Sequence, residues 1–160
     1  MLTIVSGGQT GVDRAALDVA IELGIAYRGW CPKGGWAEDQ PSPPGVLALY
    51  AGLRETPDAD PRQRTEWNVR DSDRLMVLVG RAGLPVSRGT DVCARMRQVL
   101  WPSRISSSLS MPATPKTWRQ AFSAKGRAVG RVNIGGPRES EAPGIYAKAR
   151  DFLRGVLSRA

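Results

Sequence analysis

The stretch Ser6-Gly7-Gly8-Gln9-Thr10-Gly11-Val12-Asp13 constrains this chain more than any other. Before it lies Leu2-Thr3-Ile4-Val5, a short apolar run with β-branched residues, which reads as a buried strand. After it, Val12, Ala15, Ala16, Val19, Ala20 and Leu23 recur at the spacing of one helix face. The glycines therefore occupy a strand-to-helix turn. Three of them allow a tight turn and expose bare backbone N–H groups. The N–H groups that open a helix lack partners within it, and the helix dipole adds partial positive charge. Such a turn is suited to an anion, most often a phosphate. A purely structural reading also exists, in which Thr10 and Asp13 cap the helix in a capping box. The stretch is neither the G-x-G-x-x-G dinucleotide fingerprint nor a P-loop, because Val12 stands where a P-loop has lysine.

The same pattern returns twice. Leu75-Met76-Val77-Leu78-Val79 is the most strand-like run, followed by a loop ending Ser87-Arg88-Gly89-Thr90 and a helix to about Leu100. Arg131-Val132-Asn133-Ile134 is a third strand, Gly135 to Ser140 its turn, and a last helix buries Ile145, Ala149, Phe152, Leu153, Val156 and Leu157. Between the first two copies, Ala26 to Trp30 predicts a strand and Leu53 to Thr56 a short one. Asp60-Pro61 opens a helix reaching Arg70, with an acidic N-cap and proline at the first helical position. Ser103 to Ser110 reads as a weak strand or an irregular crossover. Repeated strand–loop–helix units imply right-handed crossovers and a mostly parallel sheet. The expected fold is α/β, a Rossmann-like three-layer sandwich. Ligands bind such sheets at the C-terminal strand ends, so the loops at 6–11, 87–90 and 135–140 should converge. Lys33, in the long loop after the second strand, offers a cation near the first turn or is simply solvated. Arg64, Asn68 and Asp71 share one helix face, and Asp71-Ser72-Asp73 abuts the strand at 75–79.

The 160 residues are enough for one domain, spanning 1–160. No stretch is long enough for a membrane span and the N-terminus has no signal-peptide layout, so the cytoplasm is the expected compartment. Cys31 and Cys93 are too few for a disulfide framework. The absence of histidine removes His-dependent triads and most zinc sites. The formal charge of +8 is regional: Arg88 to Arg131 holds nine basic residues and one acid, Asp91, leaving 14 of each sign elsewhere. That segment is either a solvated basic face or an attraction for an anionic partner.

These residues carry a resemblance. Ser6 to Asp13, Gly29-Trp-Cys-Pro-Lys-Gly34, Leu53-Arg-Glu-Thr56, Thr65 to Asp73 and Gly136 to Tyr146 resemble the putative molybdenum carrier family. That family is similar to the molybdenum cofactor carrier proteins and belongs with the Rossmann-like group that includes the Lonely guy phosphoribohydrolases. The resemblance covers roughly residues 1–90 and 132–158. It implies a Rossmann-like fold, a homo-oligomer, and a phosphorylated nucleotide-like or pterin ligand. Two features depart from it: Ser87-Arg88-Gly89-Thr90 replaces the family's Ser-Gly-Gly-Thr, and residues 91–131 do not follow the family. The hydrolase signature also requires a glutamate after its Gly-Thr, and this chain continues Asp91-Val92-Cys93.

The resulting expectation is a binding protein for a phosphorylated cofactor or nucleotide, with molybdenum cofactor named on the resemblance alone. The phosphate would rest on Gly7, Gly8, Gln9, Thr10 and Gly11, with Ser87, Gly89 and Thr90 closing over it. Asn68, Asp71 and Asp73 would hydrogen-bond the ligand's polar body, and Lys33 would add charge. No catalytic residue and no metal site is expected. Two rivals remain: a nucleotide-processing enzyme using Asp13 or Asp71 as general acid/base, which requires a raised pKa, and a nucleic-acid binding module built on the basic segment.

Overall fold

A computed structural model describes residues 1–79, 107–110 and 130–158. In chain order the elements are β1 (Thr3–Val5), α1 (Val12–Glu22), β2 (Ala26–Cys31), β3 (Leu53–Glu55), α2 (Pro61–Arg70), β4 (Arg74–Val79), β5 (Ser107–Ser110), β6 (Arg131–Gly135) and α3 (Ile145–Leu157). The strands form one sheet in the order β3-β2-β1-β6-β4-β5. Every pairing between these strands is parallel, with Thr3 opposite both Ala26 and Arg131, and Met76 opposite both Ile134 and Ser107. The α/β Rossmann-like architecture expected from the repeats is present. The order was not predicted: β6, late in the chain, lies between β1 and β4.

Alternation along the strands sets the layers. Ile4, Met76, Leu78, Val132 and Ile134 project to one face and are buried against Val12, Ala16 and Val19 of α1 and Ile145, Ala149, Leu153 and Val156 of α3. Each such aliphatic side chain contributes about 1.5–3 kcal/mol when fully buried. On the opposite face Trp30 of β2 meets Trp67 of α2 edge to face, with ring centroids 4.7 Å apart. The two sets of helices thus sandwich the sheet.

Local chemistry explains the element ends. Asp60 accepts a hydrogen bond from the Arg62 N–H at 2.9 Å, with Pro61 at the first helical position, as its sequence requires. At α1 the capping-box reading gives way. Gly11 is the N-cap with no side-chain cap, and Thr10 faces another loop instead. Of the Ser-rich stretch, the described residues Ser107–Ser110 form β5, added to the edge of β4. A serine-rich strand carries little β-propensity signal, which is why composition shows it weakly.

Candidate functional site

The first and third turns meet at the C-terminal edge of the sheet. The Val12 N–H donates to the Pro137 carbonyl at 3.2 Å, and the Glu139 N–H donates to Thr10 Oγ1 at 3.2 Å. Thr10 Oγ1 in turn donates to Glu38, whose carboxylate also accepts from Ser140 Oγ at 2.6 Å. Gln9 Oε1 accepts from the Glu38 N–H at 2.9 Å and from the Thr10 N–H at 3.1 Å. Three loops are therefore tied through Gln9, Thr10 and Glu38. Partial burial opposes ionisation of Glu38, but the hydrogen bonds from Ser140 and Thr10 outweigh it and hold the carboxyl below its ordinary range. The second turn, with Ser87, Gly89 and Thr90, lies outside the described residues, as does most of the basic segment.

Inside the first turn sits an anion that belongs to the chain. Asp13, on the first turn of α1, is only 4% exposed. Its carboxylate pairs with Arg64 of α2 at 3.0 Å, and the backbone of Gln9 and Gly7 also favours its ionised form. Gly8 between them has φ +74°, the left-handed conformation that turns flanking N–H groups to one side and makes an anion-holding nest. Burial opposes the charge more strongly than these partners support it, so the Asp13 pKa is raised. Arg64 lies so close over Gly7 that a Cβ there would fall on the guanidinium. The turn thus combines backbone donors, a guanidinium and a carboxylate within one buried point.

Other residues singled out by sequence take different places. Asn68 is buried at 2% exposure. Its amide donates to the Trp30 carbonyl at 2.9 Å and accepts from the Trp30 N–H at 2.8 Å. These backbone groups lie beyond the end of β1, so Asn68 supplies the partners a longer strand would have given. Asp71, at the end of α2, accepts from the Trp30 indole at 2.8 Å. Hydrogen bonding from Arg70 holds its pKa low. Asp73 accepts from the Arg131 N–H at 2.8 Å, where β6 begins, and so stands at the edge of the sheet opposite the glycine turn. Lys33 is exposed on a single 3₁₀ turn, Lys33–Gly35. The structure brings Gly7, Gly8, Gln9, Thr10 and Gly11 together; Asp73 is not with them. Sequence reading takes Arg64 as a helix-face residue and Asp13 as a cap or a general acid/base, and does not pair the two. The available signal was Asp13 itself, an acid within the apolar stripe of α1.

Beside the turn opens a cavity of about 750 Å³ between α1, the start of α3 and the loops after β2 and β6. Among the described residues its wall carries the carboxyl groups of Asp18, Glu38, Asp39 and Glu139 against one cation, Arg14. Arg14 is already paired with both Asp39 oxygens at 2.9 Å. Tyr50 and Tyr146 donate to the two oxygens of Asp18 at 2.6 and 2.8 Å. Burial and the Asp18 carboxylate push the Tyr50 hydroxyl pKa up. An acid-lined wall of this kind disfavours an anionic ligand.

Residues 4–157 match the model of the circularly permutated YpsA SLOG family. The chain belongs to that family. It is also similar to a crystal structure named "Putative molybdenum carrier protein" from Syntrophus aciditrophicus SB, at 32% identity over 97% of this chain and 94% of that one, with a TM-score of 0.77. No curated protein matches the chain. The family match runs through the segment where the sequence alone departs from the carrier pattern. Among the described residues no group of acids and cysteines is arranged to hold a metal ion, and no helix is long and apolar enough to cross a membrane.

Proposed function

We propose that this family member binds a phosphorylated, nucleotide-like or pterin ligand at the first glycine turn and works as a carrier. One observation carries the reading: the Gly7–Gln9 backbone and Arg64 together surround an anionic group. Donors fixed by a fold before the ligand arrives bind an anion with little reorganisation. A phosphate fits this donor set, and a molybdenum cofactor carries one. The name of the Syntrophus protein supports that cofactor as cargo. In this reading the turn and Arg64 hold the phosphate, and the ligand's body extends along the sheet edge away from the acid-lined cavity. The test is mass spectrometry of small molecules released from natively purified protein, compared with an Arg64→Gln variant. A phosphorylated pterin or nucleotide, depleted in the variant, is expected. Recovery of none, or of equal amounts from both, overturns the reading.

A second reading has its own support. An enzyme acting through Asp13 requires a carboxyl of raised pKa, and burial provides that at Asp13 and not at Asp71. Incubation with nucleoside monophosphates, with chromatography for released base, separates the two: turnover lost in Asp13→Asn favours the enzyme.

A further inference from the structure

We propose that Asp13 holds the place of the ligand's phosphate in the free protein, and that a phosphate monoester enters this nest with uptake of one proton by Asp13. The inference rests on the ligand site proposed above and deepens it. Its ground is geometric. One buried point holds the nest backbone of Gly7 and Gln9, the Arg64 guanidinium and the Asp13 carboxylate. A phosphate that takes these donors must take them from Asp13. The displaced carboxylate then has an incoming dianion beside it in a buried position. Two like charges so placed cannot both persist, and protonation of the carboxyl removes the conflict.

Among the described residues there are few other ways to balance the charge. Among the described residues, Arg64 is the charged side chain paired with Asp13. Its backbone neighbours include Gly7 and Gln9 in the turn, and Gly135 at the end of β6, where a Cβ would lie 3.5 Å from Asp13 Oδ1. No second cation among the described residues is paired with Asp13. Burial already disposes this carboxyl toward its neutral form. Once protonated, Asp13 changes from a competitor for the donors into a hydrogen-bond donor toward a phosphate oxygen. The proton comes from solvent, and no other group need change its charge.

The experiment is calorimetric titration of the full chain with AMP, and with adenosine as a control, in buffers of different ionisation enthalpy. The pH is held between about 7 and 9, above the phosphate's own second pKa of about 6. Uptake near one proton per AMP is expected, with affinity falling about tenfold per pH unit. Asp13→Asn should abolish the uptake and flatten the pH dependence of the AMP binding that it retains. Binding of AMP without proton uptake in the wild type overturns this inference and leaves the phosphate site standing. Uptake that persists in Asp13→Asn also overturns it, since the proton then goes elsewhere. Failure of AMP to bind better than adenosine overturns the site reading and the inference with it. Should Asp13→Asn not fold, Asp13→Ser serves as the variant, and the wild-type buffer series decides the uptake without either.

Discussion

Replacing Gly11 with alanine tests the convergence of the two turns more directly than any ligand assay. Gly11 has φ +75° and ψ −126°, a conformation open to glycine alone. Any other residue there costs about 1–3 kcal/mol in backbone strain. The alanine Cβ would also run into the Pro137 carbonyl oxygen, and would lie 2.9 Å from Arg138 C and from Glu139 N. These are backbone atoms in a turn tied by hydrogen bonds, so they cannot swing aside as a side chain would. Overpacking of this kind costs about 1–3 kcal/mol more. The combined loss of about 2–6 kcal/mol is a large share of a typical domain's stability of about 5–15 kcal/mol. For a chain of this length it lowers Tm by roughly 5–20 °C. Gly24→Ala is the control: its φ is also positive, at +65°, but nothing lies within 4 Å of the added Cβ. That change should cost about 1 kcal/mol, from the backbone alone. Thermal and urea melts of both variants measure the difference. If Gly11→Ala loses no more than Gly24→Ala, the first and third turns are not in contact and the site is assembled wrongly.

Other outcomes follow from named contacts. Asn68→Ala strands the N–H and C=O of Trp30 beyond the end of β1, and should cost about 2–5 kcal/mol in urea unfolding. Arg64→Met leaves Asp13 buried without its partner, a loss of about 3–5 kcal/mol near neutral pH. Because the folded pKa of Asp13 is raised, its contribution is fully present at low pH and declines as pH rises through that pKa. The Arg64→Met loss should therefore be smaller in urea melts at acid pH than at alkaline pH; a loss independent of pH would contradict the pairing. Tyr50→Phe removes one of two hydroxyls from Asp18 and should cost about 1 kcal/mol, rising more than additively in the double variant with Tyr146→Phe. Light scattering on the eluted chain should give a multiple of 17.3 kDa, as expected from the family resemblance.

The sequence made the repeated units legible because each carried its own local signal. Asp60-Pro61 marked a helix start by cap chemistry, and the apolar run at 75–79 marked β4 by composition. Strand order had no such signal, since pairing of Thr3 with Arg131 depends on residues far apart in the chain. The site divides in the same way. The glycine turn was readable because glycine's conformational range is a property of the residue itself. The Asp13–Arg64 pair was not readable, because it joins two helices across 51 positions. Asn68 illustrates a different ambiguity. A polar residue on a helix face looks the same whether it awaits a ligand or completes a neighbouring strand, and here it completes β2.

The position of β6 also bears on how the molecule is made. With β6 absent, the described sheet falls into two separate pieces, β3-β2-β1 and β4-β5. During synthesis the first piece and β4 are complete long before residue 131 exists, yet no strand lies between them. Each then presents an unpaired strand edge, the form of chain most open to wrong partners. Closing the sheet brings residue 3 beside residue 131, a long-range contact that local structure does little to prepare. Folding of this chain should therefore be slow for its size and limited by the arrival of its last strand. A peptide spanning β6 and α3, supplied separately, is the piece that would complete a truncated chain.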